Sequence, residues 1–328
     1  MNNEEILQEM TQTAVKSVTD VNSLGYSVLQ PEYFNKFVED AIRQKSILND
    51  ARLMTMSAQK VNIDRIGFSG RVMAPAVENT APSHSNATTA QNQLVATEYI
   101  AMAGITDNAL RRNIEKGNFA NTLISMLSDN YGKDMESLFV FGDTTKYSAG
   151  DLLKSKNGWL AKADASTKLA GAGTAKDFDP STEDITDVMT KMLKKYPNEY
   201  LTNRSSLRFY LDSNKFDEYI DLVGDRETTG YDDVIAGYVA KPYKGVPVVE
   251  APVLNDAEGT DSTDGFGQVA MLVDPTNLVY GIFDQMTLEP EREAKLRRTD
   301  YILTTEIDCH FENEKVGAYA LFDLEKNS

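Results

Sequence analysis

Apolar and polar positions divide the chain into stretches of different period. Ile6, Leu7, Met10, Ala14 and Val18 recur at helical spacing and predict a short amphipathic helix over 4–18. Residues 21–30 read as extended. Pro31 then opens a helix whose apolar face is Phe34, Phe37, Val38, Ala41 and Ile42. From 52 to 113 the period changes. Val61, Ile63 and Ile66 form an apolar alternation, a polar, turn-rich run follows over 78–85, and Leu94, Ala96, Tyr99, Ala101, Ala103 and Ile105 carry the returning alternation. This predicts a large two-stranded arm with a polar tip. Such an arm is marginally stable in water and needs a surface to lie on, so it points to a neighbouring subunit.

The strongest helical stripe comes next. Phe119, Leu123, Met126, Leu127, Tyr131, Met135, Leu138 and Phe139 keep one face of a helix over 118–141, with Gly117-Asn118 at its start and Gly142 as its stop. Residues 143–160 read as a loop holding the chain's single tryptophan, Trp159, and 161–177 as a small-residue surface loop. After Pro180, Ser181 with Asp184 resembles a capping box, and Ile185, Val188, Met189, Met192 and Leu193 face one way on a helix stopped by Pro197. A short strand is expected at 200–202. A helix is expected through Leu207, Tyr210 and Leu211, broken at 212–214. Strands are expected at 246–249, 268–274 and 278–283. Two long strands at 298–311 and 316–324 would be joined by a turn at 312–315.

The chain has 328 residues with 41% hydrophobic and 25% charged, which places it among globular proteins of one large domain or two to three smaller ones. Its net charge of -17 disfavours sequence-specific nucleic-acid binding except on a local basic strip. A single cysteine, Cys309, precludes an intramolecular disulfide and fits a reducing compartment. The acidic first residues lack the apolar core of a signal peptide, and no apolar run reaches membrane-spanning length, so a soluble protein made in a cytoplasm is expected.

Candidate chemistry is thin. His84 and His310 are the only histidines, and Cys309 beside His310 on a strand would point to opposite faces, so no zinc site is expected. Asn255, Asp256, Glu258, Asp261 and Asp264 make an acidic loop without the order of a calcium-binding loop. Gly171 to Lys176 lacks the spacing and strand–helix context of a phosphate cradle. With no Gly-x-Ser-x-Gly and two histidines, catalysis is not expected, and neither is a cofactor. Basic residues cluster at Lys295, Arg297 and Arg298, and at Arg111 and Arg112.

Seven segments, in order, resemble the major capsid proteins of tailed phages, the Hong Kong ninety-seven fold family. VMAPAVENTAPSHSNATTAQNQLVATEYIAMAGITDNAL resembles the family's extended loop, and LSDNYGKDMESLFVFGD the end of its spine helix. NGWL resembles the turn after the spine helix, and YLTNRSSLRFYL an axial-domain strand and helix. YKGVPVVEAPVLND and VAMLVDPTNLVYGIFDQMTLE resemble the strands that follow, and ILTTEIDCHFENEKVGAYALF the closing peripheral-domain strands. No single segment is specific; their order and spacing carry the resemblance.

The resemblance implies an α+β fold with an N-terminal arm (1–51), an extended loop (52–106), a peripheral domain (107–178 and 284–328) with spine helix 118–141, and an axial domain (179–283). It implies hexamers and pentamers closing into an icosahedral head around double-stranded DNA bound without sequence specificity. The expected partners are a portal protein, a separate scaffolding protein and a decoration protein; the expected place is the virion, after assembly in a host cytoplasm. Arg65, Arg71 and Glu78 in the loop, Arg111 and Arg112 at its base, and Arg297 and Arg298 are the candidate inter-subunit contacts. A cross-link of the kind known in one relative would draw on Lys60 and Asn313. An encapsulin-type nanocompartment shell shares the fold, while a soluble α+β enzyme, or a decoration or tail protein, is the alternative of another class.

Overall fold

The computed structural model describes residues 46–68, 73, 87–107, 119–171, 176–224, 242–255 and 267–322. The helices expected over 4–18 and from Pro31 lie outside them, as do the tip of the arm, Arg71, Glu78, His84, Arg111 and Arg112. The chain forms two compact units. The smaller holds 97–131 and 283–306; the larger holds 42–96, 132–282 and 307–328.

The larger unit is built on a five-stranded sheet in the order β5 (Lys168–Ala170), β11 (Ala318–Leu321), β8 (Val269–Val273), β6 (Arg208–Leu211), β7 (Val248–Glu250). β8 is antiparallel to both of its neighbours, pairing Ala270 with Ala320 and Leu272 with Phe209. All five residues of β8 are buried, which is why it reads as an unbroken apolar run. α3 (Ile185–Lys195) lays Ile185, Val188, Met189, Met192 and Leu193 into a core shared with Phe209, Leu211, Ala270 and Leu272. Fully burying each such side chain contributes about 1.5–3 kcal/mol.

Four expectations need correction here. Residues 207–211 are not helical: Arg208–Leu211 is strand β6, because its near-continuous burial needs no strict alternation. Asp212 breaks nothing; its carbonyl accepts the Phe216 N–H at 2.8 Å at the start of α4 (Ser213–Gly224). The strand expected at 200–202 is a single tight turn, Asn198–Tyr200. No capping box forms at Ser181 and Asp184. The Asp184 side chain caps nothing, and the Ile185 N–H goes to Glu218 Oε1 at 2.9 Å.

A second sheet has the order β1 (Arg52–Met56), β9 (Leu278–Glu293), β10 (Arg298–Phe311), β4 (Thr97–Thr106). β10 follows its expected bounds, but β11 is short and pairs in the other sheet, so the two do not form a hairpin. The long helix, α2 (Phe119–Phe141), contributes 119–131 to the smaller unit and 132–141 to the larger. In the larger unit Phe139 packs on Trp159 and Tyr280, with ring centroids 5.7 and 5.9 Å away. In the smaller, Tyr131 shares a hydrogen bond with Thr305 of β10. Met126, expected on the inner face, is 56% exposed, while Ser128 and Glu136 are buried.

Candidate assembly surface

The arm is a hairpin of β2 (Lys60–Phe68) and β3 (Ala87–Val95), paired from Lys60↔Val95 to Phe68↔Ala87. The flanks expected to extend it, β1 and β4, are instead strands of the four-stranded sheet. Period-two geometry gives the hairpin two unlike faces. Val61, Ile63, Leu94 and Asn92 share one face. Ile63 and Leu94 are buried, and Asn92 Nδ2 donates to the Phe311 carbonyl at 2.8 Å. Leu94 sits over Gly281, where a Cβ would stand 3.1 Å from its Cδ1 and 2.6 Å from Met56 Sδ. The other face carries side-chain rungs, Gln93 to Asn62 at 3.0 Å and Gln91 to Asp64 at 2.7 Å. Farther out on that polar face Ile66 is 74% exposed. The root of the hairpin is thus packed down, and its distal half presents an apolar side chain to solvent.

The root is closed by the Ala96 N–H bonding to the Gln59 carbonyl at 2.9 Å. Beside it lies Asp308, a carboxylate with 2% of its side chain exposed. Its Oδ2 accepts the Val95 N–H at 2.5 Å. Its Oδ1 accepts the Cys309 N–H at 2.7 Å and faces Lys156 Nζ at 3.1 Å and Lys162 Nζ at 3.3 Å. Lys156 also donates to the Val95 carbonyl, and Lys162 to that of Cys309. Burial holds the Lys156 ammonium below its ordinary pKa, and the Asp308 charge pulls it partly back. A buried carboxylate without such partners would cost several kcal/mol. Arg52 and Glu312 pair at 2.8 Å, but both side chains are more than 40% exposed, and such a pair contributes about 0–1 kcal/mol.

In the smaller unit β4 alternates. Tyr99, Ala101 and Ala103 are half-buried and Ile105 is buried, while Ile100 and Met102 are exposed. Leu296 stands exposed in the 294–297 turn between β9 and β10. Arg297, in that turn, is exposed with φ +51, and its carbonyl accepts the Asp107 N–H at 2.8 Å. Arg298 is engaged within the chain, 2.9 Å from Asp300 and 3.6 Å from Glu293. Arg292 grips Asp107 with two nitrogens, at 3.0 and 3.2 Å. Arg65 is half-buried on β2, on the same face as Ile63. Lys60 is exposed, whereas Asn313 donates to the Tyr200 hydroxyl at 3.3 Å and accepts the Lys315 N–H at 3.2 Å.

Of the sequence-predicted arginines, Arg65, Arg297 and Arg298 lie among the described residues. What the larger unit brings together is Asp308, Lys156, Lys162 and Val95. Nothing local in the sequence singles out Asp308 or points to its lysines. Cys309 is buried, and His310 Nδ1 accepts the Phe311 N–H at 2.9 Å. Among the described residues no group of histidine, cysteine and carboxylate side chains is placed to hold a metal, and no helix is long and apolar enough to cross a membrane.

A scan against protein-family models finds no match. A protein of Bacillus subtilis strain 168 described as a prophage capsid protein, YqbE, is 28% identical over 320 residues, spanning 95% of this chain and 97% of that one. Among solved structures, a chain of the satellite phage P4 procapsid, a particle that includes the size-determination protein, superposes with a TM-score of 0.65. The match covers 98% of both chains at 15% identity. A chain of the capsid of the native GTA particle gives 0.59, covering 87% of this chain and 90% of that one at 14% identity. A chain of Gordonia phage Cozz gives 0.60, covering 85% and 86% at 10% identity. The chain has the α+β fold of tailed-phage capsid proteins.

Proposed function

We infer that this chain is the major capsid protein of a tailed phage, the repeated subunit of its head shell. The observation that carries the reading is the match of 98% of the chain to a procapsid subunit fold, joined to a hairpin whose root is packed down and which exposes Ile66 farther out. A shell needs many modest contacts repeated under a closing symmetry rather than one deep pocket. The exposed Ile66 on the hairpin and Ile100, Met102 and Leu296 in the smaller unit are surfaces of that kind. An arm laid on a neighbour could bury a standard interface, on the order of 1,600 Å².

Within this reading the role is structural and not enzymatic. The chain assembles as hexamers and pentamers in the host cytoplasm, around a portal and with a separate scaffolding protein. A decoration protein binds outside, and double-stranded DNA is packed against a wall of net negative charge. Residues 1–51 serve as the N-terminal arm, 52–106 as the extended loop, 107–178 and 284–328 as the peripheral domain, and 179–283 as the axial domain. Arg65, Arg71, Glu78, Arg111, Arg112, Arg297 and Arg298 contribute inter-subunit contacts, with Arg298 doing so through the pair it already makes with Asp300.

An encapsulin-type shell would share the fold, and its contents distinguish the two. Phage, prophage and GTA relatives favour the head. Particles recovered from cells carrying the complete phage, treated with nuclease and then opened, should release protected double-stranded DNA. Particles filled with a cargo enzyme and free of DNA would replace the head reading with the nanocompartment one.

A further inference from the structure

We propose that Asp308 and Lys156 form a latch that sets the direction in which the β2–β3 hairpin leaves its root, with Lys162 holding the Asp308 carboxylate but not the hairpin. Ala96 and Gln59 close the root through the Ala96 N–H, so the next pair, Val95 and Lys60, is of the type whose backbone groups point away from each other. The Val95 N–H and C=O therefore face outward, along the free edge of β3. The N–H is taken by the Asp308 carboxylate and the C=O by the Lys156 ammonium, and these two side chains pair with each other at 3.1 Å.

A carboxylate and an ammonium together thus do at Val95 what a third strand would do. They accept one backbone group and donate to the other, and charge-assisted bonds of this kind are about twice as strong as neutral ones. The geometry also divides the two lysines. Lys156 touches the hairpin and Asp308. Lys162 touches Asp308 and the Cys309 carbonyl, both on β10. Lys162 therefore compensates the buried charge without gripping the arm.

A fixed root matters because the hairpin is a lever. Nine residues at 3.3 Å each reach about 30 Å, so a tilt of about 10° at Val95 displaces the distal end by roughly 5 Å. That distance exceeds what a packed interface tolerates. The positioning residues of the arm are then Asp308 and Lys156, at its root.

Hydrogen exchange read by mass spectrometry on the full chain tests this, using Asp308→Asn, Lys156→Met and Lys162→Met. Methionine keeps the apolar stem and removes only the charge. Asp308→Asn and Lys156→Met are expected to speed exchange in peptides covering 90–97 roughly tenfold, with the 269–273 strand still protected. Lys162→Met should leave 90–97 near the wild-type rate. Equal acceleration by both lysine variants, no acceleration by either, or loss of protection at 269–273 in step with 90–97 would overturn the latch. If Asp308→Asn does not fold, the contrast between the two lysine variants decides alone. Fewer closed particles from Lys156→Met than from Lys162→Met is a consequence that rests on the shell-subunit reading. A latched hairpin in a chain that builds no shell would sink that reading and leave the latch standing.

Discussion

The Glu136 carboxylate on α2 accepts the backbone N–H of Ile47 at 2.9 Å, across 89 positions of sequence. It also reaches the Leu48 N–H at 3.4 Å. These are orphan donors at the start of α1 (Ser46–Asp50), a five-residue helix too short to persist alone. At the other end Asp50 accepts the Tyr210 hydroxyl at 2.7 Å. The chain is thus fixed just before β1 by one carboxylate from a helix and one hydroxyl from a sheet. Glu136→Ala should lower stability by about 1–3 kcal/mol, since it strands buried N–H groups, and Glu136→Gln by less. Denaturant titration checks this; an unchanged midpoint for Glu136→Ala would refute the capping role.

Two glycines let the chain turn back on itself after α2. The Gly158 N–H donates to the Gly142 carbonyl at 2.7 Å. A Cβ on Gly142 would stand 2.4 Å from the Lys156 carbonyl, and one on Gly158 would stand 2.5 Å from that of Phe139. Both obstacles are backbone and cannot swing aside. Gly158→Ala should cost about 1–3 kcal/mol, as overpacked cores do, and should displace Trp159 from Phe139. The loss should appear together in the unfolding midpoint and in tryptophan emission; a variant with native emission and stability would contradict it.

How far the sequence carried depends on the range of the signal. The α2 helix is legible because its stripe repeats over many turns, and it ends at Phe141 as expected. β8 and β10 were legible from apolar content and length. Arg208–Leu211 was not, because Leu207, Tyr210 and Leu211 have helical spacing by coincidence and only the sheet decides the matter. Glu136, Asp308 and Lys156 were illegible for another reason. Each is a charged residue whose partner lies far along the chain, and an isolated charge in a sequence reads as solvent-facing. Alternation marks the arm but not where its two-stranded part ends, since it continues from the hairpin into a strand of a different sheet.

Burial pushes the Cys309 thiol up to about 12. In the native protein at pH 8 it should therefore resist a disulfide reagent, and it should react as one thiol per chain once unfolded. Rapid reaction without unfolding would contradict the burial.

Burial also holds the His310 ring below its ordinary value, with Lys162 adding to the effect. The unfolded chain then binds the proton first as pH falls. The neutral ring's contribution is fully present above pH 6.5, and it is lost as pH drops from the unfolded value toward the lower folded one. His310→Gln should flatten this limb of the stability–pH curve. Parallel curves for the two proteins would remove His310 as its source.

Arg111 and Arg112, at the base of the extended loop, are proposed to meet acidic residues of the next subunit. Reversing both to glutamate should leave the monomer folded and abolish or sharply reduce particle formation, as judged by sedimentation. Normal particles from the doubly reversed chain would exclude that contact.

As the proposed head subunit, this chain should build a closed shell. Electron microscopy with light scattering, on the chain expressed alone and together with the neighbouring phage genes, tests it most directly. Closed particles of uniform diameter are expected in at least one of the two preparations. A monodisperse monomer or small oligomer in both would contradict it.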